Sequence, residues 1–261
     1  MIFDSHAHYN DRAFDEDRDA LVASLPAAGV GTVVNIANDI ESIGQCLDLA
    51  ARYEHVWCAL GIHPSDCGPL ADEAVGESTM ALLREKLTDP ASKAVAVGEI
   101  GLDYYWPEPD RELERYWLRR QLDLAREVGL PVVIHSRDAA KDTLDILQEK
   151  HAEEIGGVIH CFSYGVEMAR EFLKLGFYIG IGGVVTFKNA RKLKEVAAEV
   201  PADRILLETD CPYLAPVPYR GKRNCSLYLP HVVRTLAEIR GVSEDEILRV
   251  TEENARRMYR L

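Results

Sequence analysis

Histidines and carboxylates recur along this chain where short apolar runs give out. His6 and His8 follow the first run, His63 the third, Glu99 the fourth, His135 the fifth, His160 the sixth and Asp210 the eighth. Imidazole with carboxylate is a ligand set for zinc, manganese, iron or cobalt, and less naturally for magnesium. His6 and His8 stand at i and i+2, so on an extended strand both rings point to one side and can approach one cation. The set exceeds the coordination sphere of one tetrahedral ion, and two ions sharing one carboxylate is the economical reading. Glu208, two positions before Asp210, reads as a supporting group or barrel interior. His55, His151 and His231 fall in helix ends or connections and read as structural.

The elements that must position these residues alternate along the whole chain. Apolar, β-branched runs at residues 2–3, 32–36, 56–60, 94–97, 132–134, 158–159, 177–181 and 204–207 predict strands. Helical periodicity lies between them, as in Leu118-Leu122-Leu124-Ala125, and glycines or prolines mark several returns. Such alternation predicts parallel βαβ units, and eight strands close into a barrel. The fold class expected is α/β, a single (β/α)8 TIM barrel spanning residues 1–261 as one domain. In that fold every strand's C-terminal end opens onto one face, so the histidines and carboxylates converge on one mouth. The proline-rich stretch 211–226 is too long for an idle connection and predicts a functional loop. A helix is expected over 230–239, and Ser243 with Glu246 reads as a capping box opening the last one.

Composition narrows the partners. The 261 residues carry 43 acids against 30 bases, a net charge of −13. Wrapping duplex DNA through overall charge is excluded, although a metal cluster or basic loop can reverse the sign locally. No apolar stretch approaches the roughly 20 residues of a spanning helix, so no membrane partner is expected. Six scattered cysteines without a CxxC pair, and no secretory leader, predict reduced thiols and a cytoplasmic protein.

At its polar positions the chain resembles the TatD family of metal-dependent deoxyribonucleases, within the amidohydrolase-like barrel superfamily. The resemblance rests on Asp4-Ser5-His6-Ala7-His8, Gly61-Ile62-His63-Pro64, Gly98-Glu99-Ile100-Gly101-Leu102-Asp103-Tyr104, His135-Ser136-Arg137, His160-Cys161-Phe162-Ser163 and Leu207-Glu208-Thr209-Asp210-Cys211-Pro212-Tyr213. One departure is visible: after Arg223-Asn224 the family usually shows Glu-Pro, and here Cys225-Ser226 follows. The resemblance implies hydrolysis of phosphodiester bonds in DNA. It implies that His6, His8 and Asp210 hold one divalent ion, that His135 and His160 hold the other, and that Glu99 bridges them. Zinc, manganese or magnesium are the expected ions.

A divalent ion lowers the pKa of water toward neutrality, and Asp210 is placed to orient that water or take its proton. Phosphate needs positive partners, and loops after strands seven and eight are the usual phosphate site of this fold. Lys222 and Arg223 are the expected substrate contacts there, with His63 and Arg137 at the mouth; Lys188, Arg191, Lys192 and Arg220 are further candidates. Tyr104, Tyr105 and Trp106 read as base-stacking residues or as a structural lid. The expected partner is DNA, entering by ends or single strands. The alternative is an amidase or lactonase of the same superfamily. Many of these carry a carboxylated lysine where Glu99 stands, whereas Lys93 lies before the strand.

Overall fold

Runs such as Val30–Ile36 and Val56–Leu60 are mostly apolar and buried at nearly every position, and strands of that kind must be covered on both faces. The computed structural model describes residues 1–261 and satisfies this demand with a ring of parallel strands inside a ring of helices. The strands are β1 (Ile2–Ala7), β2 (Val30–Ile36), β3 (Val56–Leu60), β4 (Ala94–Asp103), β5 (Val132–Arg137), β6 (Gly157–Ile159), β7 (Tyr178–Ile181) and β8 (Ile205–Leu207). Around them run α1 (Arg18–Ser24), α2 (Ile40–Arg52), α3 (Glu73–Thr88), α4 (Arg111–Val128), α5 (Ala140–Glu149), α6 (Val166–Lys174), α7 (Arg191–Glu199), α8 (Leu229–Arg240) and α9 (Glu244–Tyr259). Each strand pairs in parallel with the next, in sequence order from β1 to β8. The fold is a (β/α)8 barrel.

The seam between β8 and β1 is stitched rather than fully laddered. Asp210 N donates to His6 O at 2.9 Å and His8 N to Cys211 O at 2.9 Å, around an isolated bridge between Ala7 and Cys211. Buried Asp4 reinforces it by accepting from Thr209 N at 3.0 Å, Thr209 Oγ1 at 2.8 Å and Ser226 Oγ at 2.6 Å. One or two buried apolar side chains from every strand form a single cluster with Ala255, Met258 and Tyr259 of α9. The Phe3 and Tyr259 rings stack with centroids 5.9 Å apart, and Tyr259 OH donates to Ser5 O at 2.7 Å. The last helix therefore plugs the bottom, and only the mouth stays open.

Two expectations are revised. The fourth strand does not stop at Glu99 but runs to Asp103, because its glycines serve close approach rather than a break. A Cβ on Gly101 would stand 1.9 Å from His135 O on the neighbouring strand. The capping box at α9 is half built: Ser243 Oγ accepts from Glu246 N at 3.1 Å, but the Glu246 carboxylate turns to Arg249 at 2.7 Å. The complete box caps α2 instead, between Asp39 and Ser42. No helix is long and apolar enough to cross a membrane.

Candidate metal centre

His6 is the penultimate residue of β1 and His8 lies just past its end. Their Nε2 atoms face one another at 3.0 Å. His8 Nδ1 donates to Ile36 O at 3.0 Å, which leaves the Nε2 lone pair directed inward. Across the mouth, His135 at the end of β5 and His160 just after β6 bring Nδ1 and Nε2 to within 3.2 Å. Asp103, at the end of β4, accepts from His135 Nε2 at 3.1 Å and so directs His135 Nδ1 inward. Asp210 Oδ1 completes the first group, 3.4 Å from His8 and 3.7 Å from His6.

Glu99 lies between the two groups, and its oxygens divide between them. Oε2 faces His6 at 3.4 Å and His8 at 3.7 Å, whereas Oε1 faces His160 at 2.5 Å and His135 at 2.7 Å. Ligands held about 2.0–2.2 Å from a tetrahedral ion stand roughly 3.3–3.6 Å apart, close to the 3.4–3.7 Å that separates the carboxylate oxygens from His6 and His8, whereas Oε1 stands closer to His160 and His135. On the His6 and His8 side, two imidazole lone pairs converge at 3.0 Å and fit a cation better than they fit each other. The residues present could therefore hold two divalent ions with Glu99 shared.

The electrostatics agree with that reading. Burial alone would raise the Glu99 carboxyl, but His160, His6 and His63 outweigh it and hold the group well below its usual range. Burial lowers His6 to about 4, so that ring stays neutral and ready to ligate. His135 behaves oppositely: burial works against its charge, yet Asp103 and Glu99 lift it to about 9. Without metal at neutral pH, His135 holds a proton that an entering cation must displace. Affinity for the ion on that side should climb about tenfold per pH unit through neutrality and level off above about pH 9. Chelator-competition titrations across pH test this, and a flat profile would contradict it.

His63 takes a different part. Its Nδ1 accepts from Ser65 N at 3.1 Å, so the neutral ring carries its proton on Nε2, 3.7 Å from Glu99 Oε1. In this tautomer His63 offers the mouth a donor, not a lone pair. Glu208 accepts from Cys161 N at Oε1, and burial pushes its carboxyl up to about 8. Gly180 makes room for it, since a Cβ there would stand 2.3 Å from Glu208 Oε2. Asp103 was the functional side chain that the run-by-run reading missed, and its signal is the i+4 spacing from Glu99 along one continuous strand.

A cavity of about 700 Å³ opens beside the centre, walled by His135, Arg137, His160, Lys192, Glu208 and Asp210. Lys222 and Arg223 do not line it. Arg223 is committed elsewhere: its guanidinium forks onto Asp17 at 2.6 and 2.7 Å, donates to Ala13 O and lies over Phe14. Arg137 is exposed, lies 3.9 Å over the Tyr105 ring and makes no ion pair. The Cys225-Ser226 departure belongs to the seam: Ser226 N donates to Tyr9 OH at 3.0 Å, a bond that proline could not make.

The model of the family described as "TatD related DNase" matches residues 3–260. The chain is 41% identical to the metal-dependent hydrolase YabD of Bacillus subtilis over 261 residues, covering all of both chains. It is 37% identical to the metal-dependent hydrolase TatD of Mycobacterium tuberculosis, covering all of this chain and 98% of that one. The crystal structure of YjjV, a TatD homologue from Escherichia coli, superposes with a TM-score of 0.90 at 33% identity, over 100% of this chain and 98% of that one. With the match running from the first strand to the last helix, the chain belongs to the TatD family of metal-dependent hydrolases.

Proposed function

We propose that the protein is a two-metal phosphodiesterase that cleaves DNA, acting on ends or single strands in the cytoplasm. The observation that carries this reading is the division of the Glu99 oxygens between two histidine groups, beside a cavity whose rim holds Arg137 and Lys192. Bound divalent ions, with zinc, manganese or magnesium as candidates, supply Lewis acidity that makes water acidic and offsets phosphoryl charge. His6, His8 and Asp210 would hold one ion, His135 and His160 the other, and Glu99 both. Asp210 stays ionised despite burial because His8 and His6 hold its carboxyl down, so it can receive a proton from the attacking water. His63 Nε2–H and the Arg137 guanidinium are donors that a phosphoryl oxygen can meet.

The net charge of −13 disfavours duplexes that must wrap the protein, and strands that enter the cavity are the better substrates. The amidase or lactonase alternative finds no support at Lys93, whose Nζ donates to the carbonyls of Ala50, Tyr53 and Glu54 at 2.8–3.0 Å, before β4. One metal-reconstituted sample assayed against single-stranded DNA, RNA, a nitrophenyl phosphodiester and a lactone decides between the readings. Turnover of the lactone alone would sink the phosphodiesterase. Arg137→Ala should raise KM for an oligonucleotide about tenfold more than for the nitrophenyl ester, while Arg223→Ala, remote from the cavity, should shift both equally. A reversed ranking would return the substrate contact to the loop after β8.

A further inference from the structure

The three consecutive aromatics after β4 separate into two kinds in the structure. Tyr104 is consumed by the fold: its hydroxyl donates to Asp142 Oδ2 at 2.7 Å, and the Arg111 guanidinium lies 4.3 Å over its ring. Tyr105 and Trp106 are 54% and 52% exposed, edge to face with centroids 4.9 Å apart. Large aromatic rings left half bared side by side forgo burial that would stabilise the fold, and the Arg137 guanidinium lies over Tyr105.

Three further observations say what these rings face. Arg137 lines the cavity at the metal centre and also lies 3.9 Å over the Tyr105 ring, so the aromatic pair adjoins the cavity rim. A guanidinium stacked on a ring keeps its N–H donors free at the edge, directed at an anion rather than at the ring. The segment after the rings carries Glu108 and Asp110, so a phosphate chain is repelled from that side and drawn to Arg137. Pro107, directly after Trp106, restricts Trp106 to extended backbone, which limits the ordering needed on binding.

We propose that Trp106 and Tyr105 form a stacking platform for a nucleobase of the substrate strand, with the adjoining phosphate held at Arg137. The proposal rests on the phosphodiesterase reading and assigns its specificity: a flat, uncharged, aromatic group next to the scissile phosphate. Every base has a π-face, so the platform selects nucleic acid over other phosphodiesters and is tolerant of sequence.

The test uses the full chain, first free of metal and then reconstituted. Thymidine oligonucleotide should quench tryptophan emission saturably, and a same-length oligomer of abasic sites should not. Trp106 is one of three tryptophans; Trp117 is buried and Trp57 lies under Lys93, so Trp106→Phe should abolish the quench while retaining binding. In reconstituted protein, Trp106→Ala should cut kcat/KM on the thymidine oligomer by about tenfold or more relative to the abasic one. No quench in the wild type, or equal losses on both oligomers with hydrolysis intact, overturns the platform and leaves the phosphodiesterase standing. A quench that vanishes in Trp106→Phe, with no phosphodiester hydrolysed, supports the platform and removes the phosphodiesterase.

Discussion

Glu99→Gln protein should retain at most one tightly held divalent ion and lose on the order of 10³-fold or more in kcat/KM. Changes to groups that merely orient a ligand cost about 10–100-fold in metal affinity or activity. Glu99 is more exposed to loss, because each of its oxygens faces a different histidine group. Glutamine offers one oxygen and one NH2, so one group would meet a donor where it needs an acceptor. It also removes the negative charge that would lie between two bound cations. Metal analysis on dialysed protein, alongside turnover of a nitrophenyl phosphodiester, reads both effects. Two retained ions with full turnover would falsify the bridging assignment. His231→Ala, with its ring edge-on to Tyr219 and outside the cavity lining, is the control and should leave both quantities unchanged.

Asp210→Asn should lower kcat by roughly 10²–10⁴ and leave the fold intact. The stitching of the seam at this residue uses its backbone, through Asp210 N to His6 O, and that bond survives the change. Asp210 also sits at φ 56°, in the left-handed region, which asparagine tolerates better than most residues. What disappears is a partly buried carboxylate kept ionised by His8 and His6, and with it the acceptor proposed for the proton of the attacking water. Rates measured at saturating metal, with melting temperature and metal content taken on the same sample, separate this from simple loss of an ion. A variant whose missing activity returns fully on adding metal would assign Asp210 to ligation alone.

The barrel and its mouth were legible because two simple periodicities coincide. Each doubly covered strand must be apolar along its buried length, so polar residues gather where the strand runs out; His135 and His160 are such cases. The i, i+2 rule placed His6 beside His8 without any tertiary information. What local pattern could not show was which polar groups were already spent. Arg223 reads as a free cation in the chain, and the residue that neutralises it, Asp17, lies far away in sequence. Arg137, with the same side chain, stays unpaired because its neighbour is a ring. β4 was cut short because Gly98 and Gly101 look like breaks, when the neighbouring strand's backbone demands them. Asp103 was lost with the end of that strand.

The seam between β8 and β1 also sets when the protein becomes active during its own synthesis. Glu99, His135 and His160 have all been translated by residue 160, so the donors for one ion are present early. His6 and His8 precede all of these, yet Asp210 and the backbone bonds that fix them arrive about 50 residues after His160. At about 5–20 residues per second, roughly 2.5–10 s separate the two events on the ribosome. During that interval the nascent polypeptide carries the donors of one group but has neither the closed ring nor the Asp210 carboxylate. A stalled or truncated product that ends before Asp210 therefore lacks the closed ring, and hydrolysis is expected only once the last strand meets the first.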